Sequence, residues 1–234
     1  MKALSIIALA ALSVSAASCK FISISEKGQS EAVSHVWKAS ESFTTKAYEV
    51  SDFNELRVSI PCKLVYVEGK PFMDINCPDN LPEILKVECS DGQLSIGLDP
   101  SVSRMKYLKD VTITVSSSKL NRLATSGAVD VETPMGMTTD EFEAEFNGAA
   151  DCKMGPLKSG KVRIKANGAA DLDLKGLDCE SLEIKVNGAG DCEITGTTKT
   201  ANIEVNGAGD IDIRGLNYDN IDSKVNGAGK IRRK

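Results

Sequence analysis

The chain has 234 residues, enough to bury a full core, and its 41% hydrophobic and 26% charged residues are the proportions of a globular protein. A formal net charge of −5 leaves no basic footprint for nucleic acid, which is not expected as a partner. Aromatic residues make up only 5%, so stacking platforms for sugar rings are scarce.

At the N-terminus, Lys2 precedes an apolar run from Ala3 to Val14, and the small residues Ser15, Ala16, Ala17 and Ser18 stand before Cys19. That order is the order of an export leader. The run is too short to span a bilayer, which takes roughly 20 apolar residues. The stretch "AASC" resembles the lipobox of bacterial lipoproteins, whose cysteine receives the lipid, although Ala16 stands where a larger aliphatic residue is usual. The reading is a leader over residues 1–18 with lipidation at Cys19, and plain cleavage near Ala16 or Ala17 as the alternative. Residues 19–48 are rich in Ser, Glu and Lys and read as lipid anchor and tether, within which Trp37 is expected to dock on a domain edge.

From Phe53 onward apolar and polar residues alternate, as in Leu56, Val58 and Ile60, or Val111, Ile113 and Val115. A period of two means strands with one buried face. The loops "CPDNLPE" and "DPSVSR" between them are long and uneven. Residues 49–125 are therefore expected to form irregular coils stacked on the same axis as residues 126–234.

In residues 126–234 the pattern becomes a repeat. "SGAVD" begins at Ser126, "NGAAD" at Asn147 and Asn167, "NGAGD" at Asn187 and Asn206, and "NGAGK" at Asn226, with spacings of 21, 20, 20, 19 and 20 residues. A glycine-rich motif that recurs at a fixed period is architecture before it is a site. Each unit reads as two short strands, the Asn-Gly-Ala turn and a second corner near Gly176, Gly196 or Gly215. The fold class implied is all-β, a right-handed parallel β-solenoid or β-helix with coils of about 20 residues. In such a stack Asn147, Asn167, Asn187, Asn206 and Asn226 lie about 4.8 Å apart and are expected to form a structural turn ladder.

The same turns fail as ligand loops. A phosphate loop needs GK followed by Ser or Thr, and "GAGKI" has Ile231 there. The dinucleotide fingerprint lacks its third glycine. The calcium roll has a nine-residue period, whereas here Asp191 and Asp210 directly follow glycine in units near 20 residues long. With no CxxC pair and a single histidine, His35, no metal site and no cofactor are expected.

Cysteines 62, 77, 89, 152, 179 and 192 remain once Cys19 is set aside. An even number in an exported chain invites disulfides. Yet Cys152 and Cys192 share an inward column with Leu172 between them, two coils or roughly 9.6 Å apart, too far for a bridge. Bridging among Cys62, Cys77, Cys89 and Cys179 stays open.

The lipoprotein-like leader, "FNELRVSIPCKLVYVEG", "LKVECSDGQLSIGL", "LATSGAVDV" and the serial "NGAAD/NGAGD" turns together resemble the head-GIN-domain family of autotransporter-adhesin-like proteins from envelopes of Bacteroides-type bacteria. The resemblance covers about residues 49–234 and implies a β-helical envelope or surface protein, without supplying binding residues. Three classes of function compete. An enzyme acting on polysaccharide needs carboxylates in unlike environments, whereas Asp130, Asp151, Asp171, Asp191 and Asp210 form one periodic series. The reading is therefore non-catalytic: a binding module or adhesin, monomeric, held to the outer membrane by its lipid and contacting an unidentified protein or glycan. A structural envelope spacer is the alternative, and a polysaccharide-active β-helix enzyme the remote one.

Overall fold

The computed structural model describes residues 36–102, 104–106 and 108–234; the leader, Cys19, His35 and most of the tether lie outside the described residues. Fifteen strands follow in chain order among them. They are β1 (Val36–Lys38), β2 (Phe43–Tyr48), β3 (Glu55–Val58), β4 (Cys62–Glu68), β5 (Phe72–Pro78), β6 (Leu85–Ser90), β7 (Gln93–Leu98), β8 (Arg104–Lys106) and β9 (Thr112–Ser117), then the long β10 (Arg122–Thr133), β11 (Met137–Met154), β12 (Leu157–Ala189), β13 (Asp191–Gly207), β14 (Asp210–Gly227) and β15 (Lys230–Arg232). One 3₁₀ turn, Leu81–Glu83, interrupts them.

The molecule is a β-solenoid of about six turns. From β10 to β15 every neighbour pairs in parallel, and like residues stack on like: Asn147 on Asn167, Gly148 on Gly168, Asp151 on Asp171. The inward column predicted from the repeat runs through Val131, Cys152, Leu172, Cys192, Ile211 and Ile231, and it continues N-terminally through Leu64 to Ile113. The irregular half thus lies on the same axis. It adds parallel levels through β3, β4, β7 and β9, then ends in antiparallel pairs, β2 with β5, β5 with β9, and β6 with β7.

Each coil has a third segment that the sequence pattern did not reveal. In one coil the buried residues fall into three runs, Val162, Ile164 and Ala166, then Ala170, Leu172 and Leu174, then Leu177 and Cys179. The alternation is interrupted at the Asn-Gly-Ala turn, where Gly168 is exposed, and changes phase at Gly176 and again after Cys179. The third corner is held by buried hydroxyls. Ser117, Thr139, Ser159 and Thr198 each donate to the carbonyl two residues ahead, on Lys119, Glu141, Lys161 and Thr200, at 3.0 to 3.2 Å. Cys179 stands in this polar column and its thiol donates to Thr198 Oγ1 at 3.3 Å. These bonds satisfy carbonyls that a tight corner removes from the regular ladder.

At the N-terminal side the ordered domain begins earlier than the tether reading implied. β2 pairs with β5, and β1 forms a separate two-stranded parallel ribbon with β8. Trp37 packs against the edge of the core from this ribbon, half-buried. Ser40 N–H donates to Asn80 Oδ1 at 3.0 Å, and Asn80 Nδ2 donates to the Lys38 carbonyl at 2.9 Å, fastening the segment to the 3₁₀ turn.

Candidate functional site: turns and faces of the regular coils

The turn residues meet through their side-chain amides. Asn167 Nδ2 donates to Asn147 Oδ1 at 2.8 Å, Asn187 to Asn167 at 2.8 Å, Asn206 to Asn187 at 2.9 Å and Asn226 to Asn206 at 2.8 Å. Asn167, Asn187 and Asn206 thus each give one hydrogen to the coil before and accept one from the coil after, which a lone surface asparagine does not do. The glycine beside it is needed for space as well as torsion. At Gly188, φ is +146°, and a Cβ would sit 2.0 Å from the carbonyl oxygen of Gly168. With every amide engaged by its neighbour, the ridge offers few free polar groups to a ligand.

One outward face carries two columns rich in carboxylates. Its first column is Asp130, Asp151, Asp171, Asp191, Asp210 and Lys230; its second is Glu132, Lys153, Asp173, Glu193, Asp212 and Arg232. Cations from the same face answer several of these. Lys153 Nζ lies 3.0 Å from Asp151, Lys175 Nζ 2.6 Å from Asp173, and Arg232 2.8 Å from Asp210. Arg214 grips Asp212 through two guanidinium nitrogens, and these bonds, joined by the Arg214 backbone N–H, hold that carboxyl at about 2. Asp191 N–H donates to Asp171 Oδ1 at 3.0 Å. Among the described residues Asp171, Asp191 and Glu193 have no ion-pair partner, and no group of three or more His, Cys, Asp or Glu is disposed to hold a metal. A shallow furrow runs between the two columns over Asp171, Asp191 and Asp210.

The face before the turn is zipped instead. Arg122 and Arg163 both reach Glu143, Arg163 reaches Glu183 at 3.1 Å, and Lys185 reaches Glu204 at 3.0 Å. Opposite charges on successive coils neutralise one another here, so this face presents no net field.

All six described thiols are free, and five are buried. Burial, with the Asp191 and Asp171 charges added, pushes Cys192 up to about 12; burial and the Asp130 charge push Cys62 up to about 12 as well. Cys152 is raised further by the same causes. Such thiols stay protonated and unreactive. Cys19 lies outside the described residues.

A solid core, parallel coils and stacked asparagine turns define the class: a parallel β-solenoid. A family model described as "Putative auto-transporter adhesin, head GIN domain" matches residues 52–233, and the chain belongs to that family. Three solved structures share the fold. A putative adhesin from Parabacteroides distasonis is similar with a TM-score of 0.78 and 22% identity, over 84% of this chain and 83% of that one. A putative adhesin from Bacteroides fragilis gives 0.69 and 22%, over 84% of this chain and 99% of that one. A protein from Parabacteroides distasonis described as a putative lipid binding protein gives 0.72 and 17%, over 85% and 99%. No curated protein matches the chain.

Proposed function

We propose that this chain is an exported, lipid-anchored, non-catalytic binding module of the bacterial envelope, attached through Cys19 and working as an adhesin. The observation that supports the binding reading is the contrast between the two faces. One is neutralised coil by coil through Arg163, Glu143 and Glu183, while the other leaves Asp171, Asp191 and Glu193 without ion-pair partners. A spacer that touches nothing has no need of that asymmetry, and a hydrolase needs carboxylates in unlike surroundings, which a periodic column does not supply. Family membership points the same way.

Two measurements test the proposal. Changing Cys19→Ala is expected to abolish fatty-acid labelling and detergent-phase partitioning; a variant that partitions like its parent overturns the anchor. Capture of partners from the native envelope, run beside extracellular glycan and matrix arrays, is expected to give a ligand whose retention drops with Asp191→Asn and Glu193→Gln. Retention unchanged by both substitutions would return the protein to the role of spacer.

A further inference from the structure

We propose that a hollow at the first turn of the asparagine ladder binds a carboxylate-bearing sugar residue, a uronate, of an acidic polysaccharide. The ladder has a direction, because each amide donates to the turn before it. Asn206 shows the full complement, one bond to Asn187 Oδ1 at 2.9 Å and another to Glu204 Oε1 at 3.1 Å. Asn147 keeps the second kind of bond, to Glu145 Oε1 at 3.3 Å, and lacks the first, since Ser126 is its partner on the preceding turn. Hydrogen bonds in a chain polarise one another. The hydrogen left over on the exposed Asn147 is therefore a strong donor on the side of the preceding coil.

The charges of the zipped face come apart at the same level. In the regular coils Glu145 lies beside Lys165, and Lys185 beside Glu204. On β3 that row holds Arg57, whose neighbours are Ser95 on β7 and Ala124 on β10, so neither adjacent strand offers it a carboxylate there. Arg57 is left with Glu55 at 3.7 Å and Lys86 with Asp99 at 3.5 Å, looser than the contacts of 3.1 Å and 3.0 Å made by Arg163 and Lys185. Glu88, beside Ser95 on β6, has no ion pair among the described residues. Between these groups the surface falls to Ser59, Gly97 and Ser126, in a hollow of about 390 Å³. A Cβ at Gly97 would stand 2.9 Å from Ser59 Oγ, so glycine keeps that floor open.

A ligand that fits has to carry an anion and hydroxyl donors on one small frame. Its carboxylate takes the place that an amide oxygen holds elsewhere in the ladder, accepting from Asn147 while Arg57 and Lys86 balance the charge. Glu88 stands two strands from Arg57, roughly 9.6 Å away, and an ionised carboxylate only accepts. A second anion is repelled there, whereas a sugar hydroxyl donates to it. A uronate ring carries both functions. No aromatic side chain lines the hollow among the described residues, so binding rests on polar contacts and not on stacking, which disfavours a neutral sugar. The hollow is separate from the acidic furrow and needs neither that furrow nor the lipid anchor.

The test is calorimetric titration of the full chain with oligoglucuronate and oligogalacturonate, beside neutral oligosaccharides of the same length and linkage and an aspartate-rich peptide. At least one uronate is expected to bind, about tenfold more tightly than its neutral counterpart or the peptide. Ser126→Asn supplies the missing ladder acceptor, so it is expected to raise the melting temperature while weakening uronate binding about tenfold. Arg57→Gln is expected to weaken binding by a similar factor, and Asp191→Asn on the acidic furrow to leave it unchanged. Failure of either uronate to bind, or equal binding of uronate and neutral oligosaccharide, overturns the proposal. So does undiminished affinity in Arg57→Gln, or in a Ser126→Asn variant whose melting temperature has risen. Tighter binding of the peptide overturns it in favour of an acidic protein segment.

Discussion

Arg233 donates a guanidinium hydrogen bond to the Ser223 hydroxyl, and Ser223 stands in the column position that Ile203 fills one coil earlier. The last coil has thus exchanged a core aliphatic for a polar residue, and the tail reaches it. Lys234 Nζ reaches Asn217 Oδ1 at 3.0 Å and Arg232 reaches Asp210 at 2.8 Å, so three successive residues are tied to three parts of the same coil. An uncovered terminal strand is a template for pairing with another molecule. Deleting 232–234 together with Lys230→Asp is expected to produce concentration-dependent association in sedimentation. A variant that stays monomeric wherever the parent does would show that these contacts do not cap the end.

The glycine column makes a sharper test of the stacking. At Gly188 and at Gly127 alike the backbone lies at positive φ, but a Cβ at Gly127 meets nothing within 4 Å, whereas at Gly188 it meets the Gly168 carbonyl at 2.0 Å. Gly127→Ala is expected to cost about 1 kcal/mol from torsion. Gly188→Ala adds a clash that only coil separation relieves, and a loss above about 3 kcal/mol is expected. Equal melting temperatures for the two variants would mean that the coils are not packed at this spacing.

The axis, the period and the column from Val131 to Ile231 were legible because identical turns at a fixed spacing admit few other arrangements. The third corner was hidden for a physical reason. Its marker is a single inward Ser, Thr or Cys, such as Ser159 or Cys179, and a hydroxyl at an inward position reads from sequence as an outward one. The N-terminal ribbon was hidden because β1 and β8 have three residues each and pair across more than sixty residues of chain. The acidic face was visible as a series, but the grip of Arg214 on Asp212 and the solitude of Asp191 are properties of neighbours in space.

The buried thiols predict an alkaline limit to stability. Burial raises the thiol pKa of Cys152 and Cys192 in the folded state, the latter to about 12, above the value near 8.5 of an unfolded cysteine. Stability from this source is whole below the unfolded pKa and is lost as pH rises through the window between the two values. The melting temperature is expected to fall across about pH 8.5 to 12, and the Cys152→Val, Cys192→Val double variant to fall less steeply. Valine suits the column, since Val131 already occupies it. Native protein is expected to resist thiol reagents and to expose both residues only on unfolding. Identical alkaline profiles, or a linked Cys152–Cys192 peptide, would contradict the register that buries them.

The amide ladder predicts a position-dependent cost for one substitution. Asn187 donates to Asn167 and accepts from Asn206, whereas Asn226, on the last turn, donates to Asn206 and has no ladder amide donating to it. Each bond contributes about 1 kcal/mol net, and a truncated partner leaves its neighbour unpaired. Asn187→Ala breaks two bonds and Asn226→Ala one. The first is expected to cost about 2 kcal/mol and the second about half as much in denaturant unfolding. Asn187→Asp separates the two directions, because a carboxylate still accepts from Asn206 but places oxygen against oxygen at Asn167. Its penalty is expected to shrink as pH falls and the carboxyl gains a proton to donate. Equal costs at positions 187 and 226, with no pH dependence for Asn187→Asp, would mean that the amides contribute nothing as a ladder and that the glycines alone hold the turn.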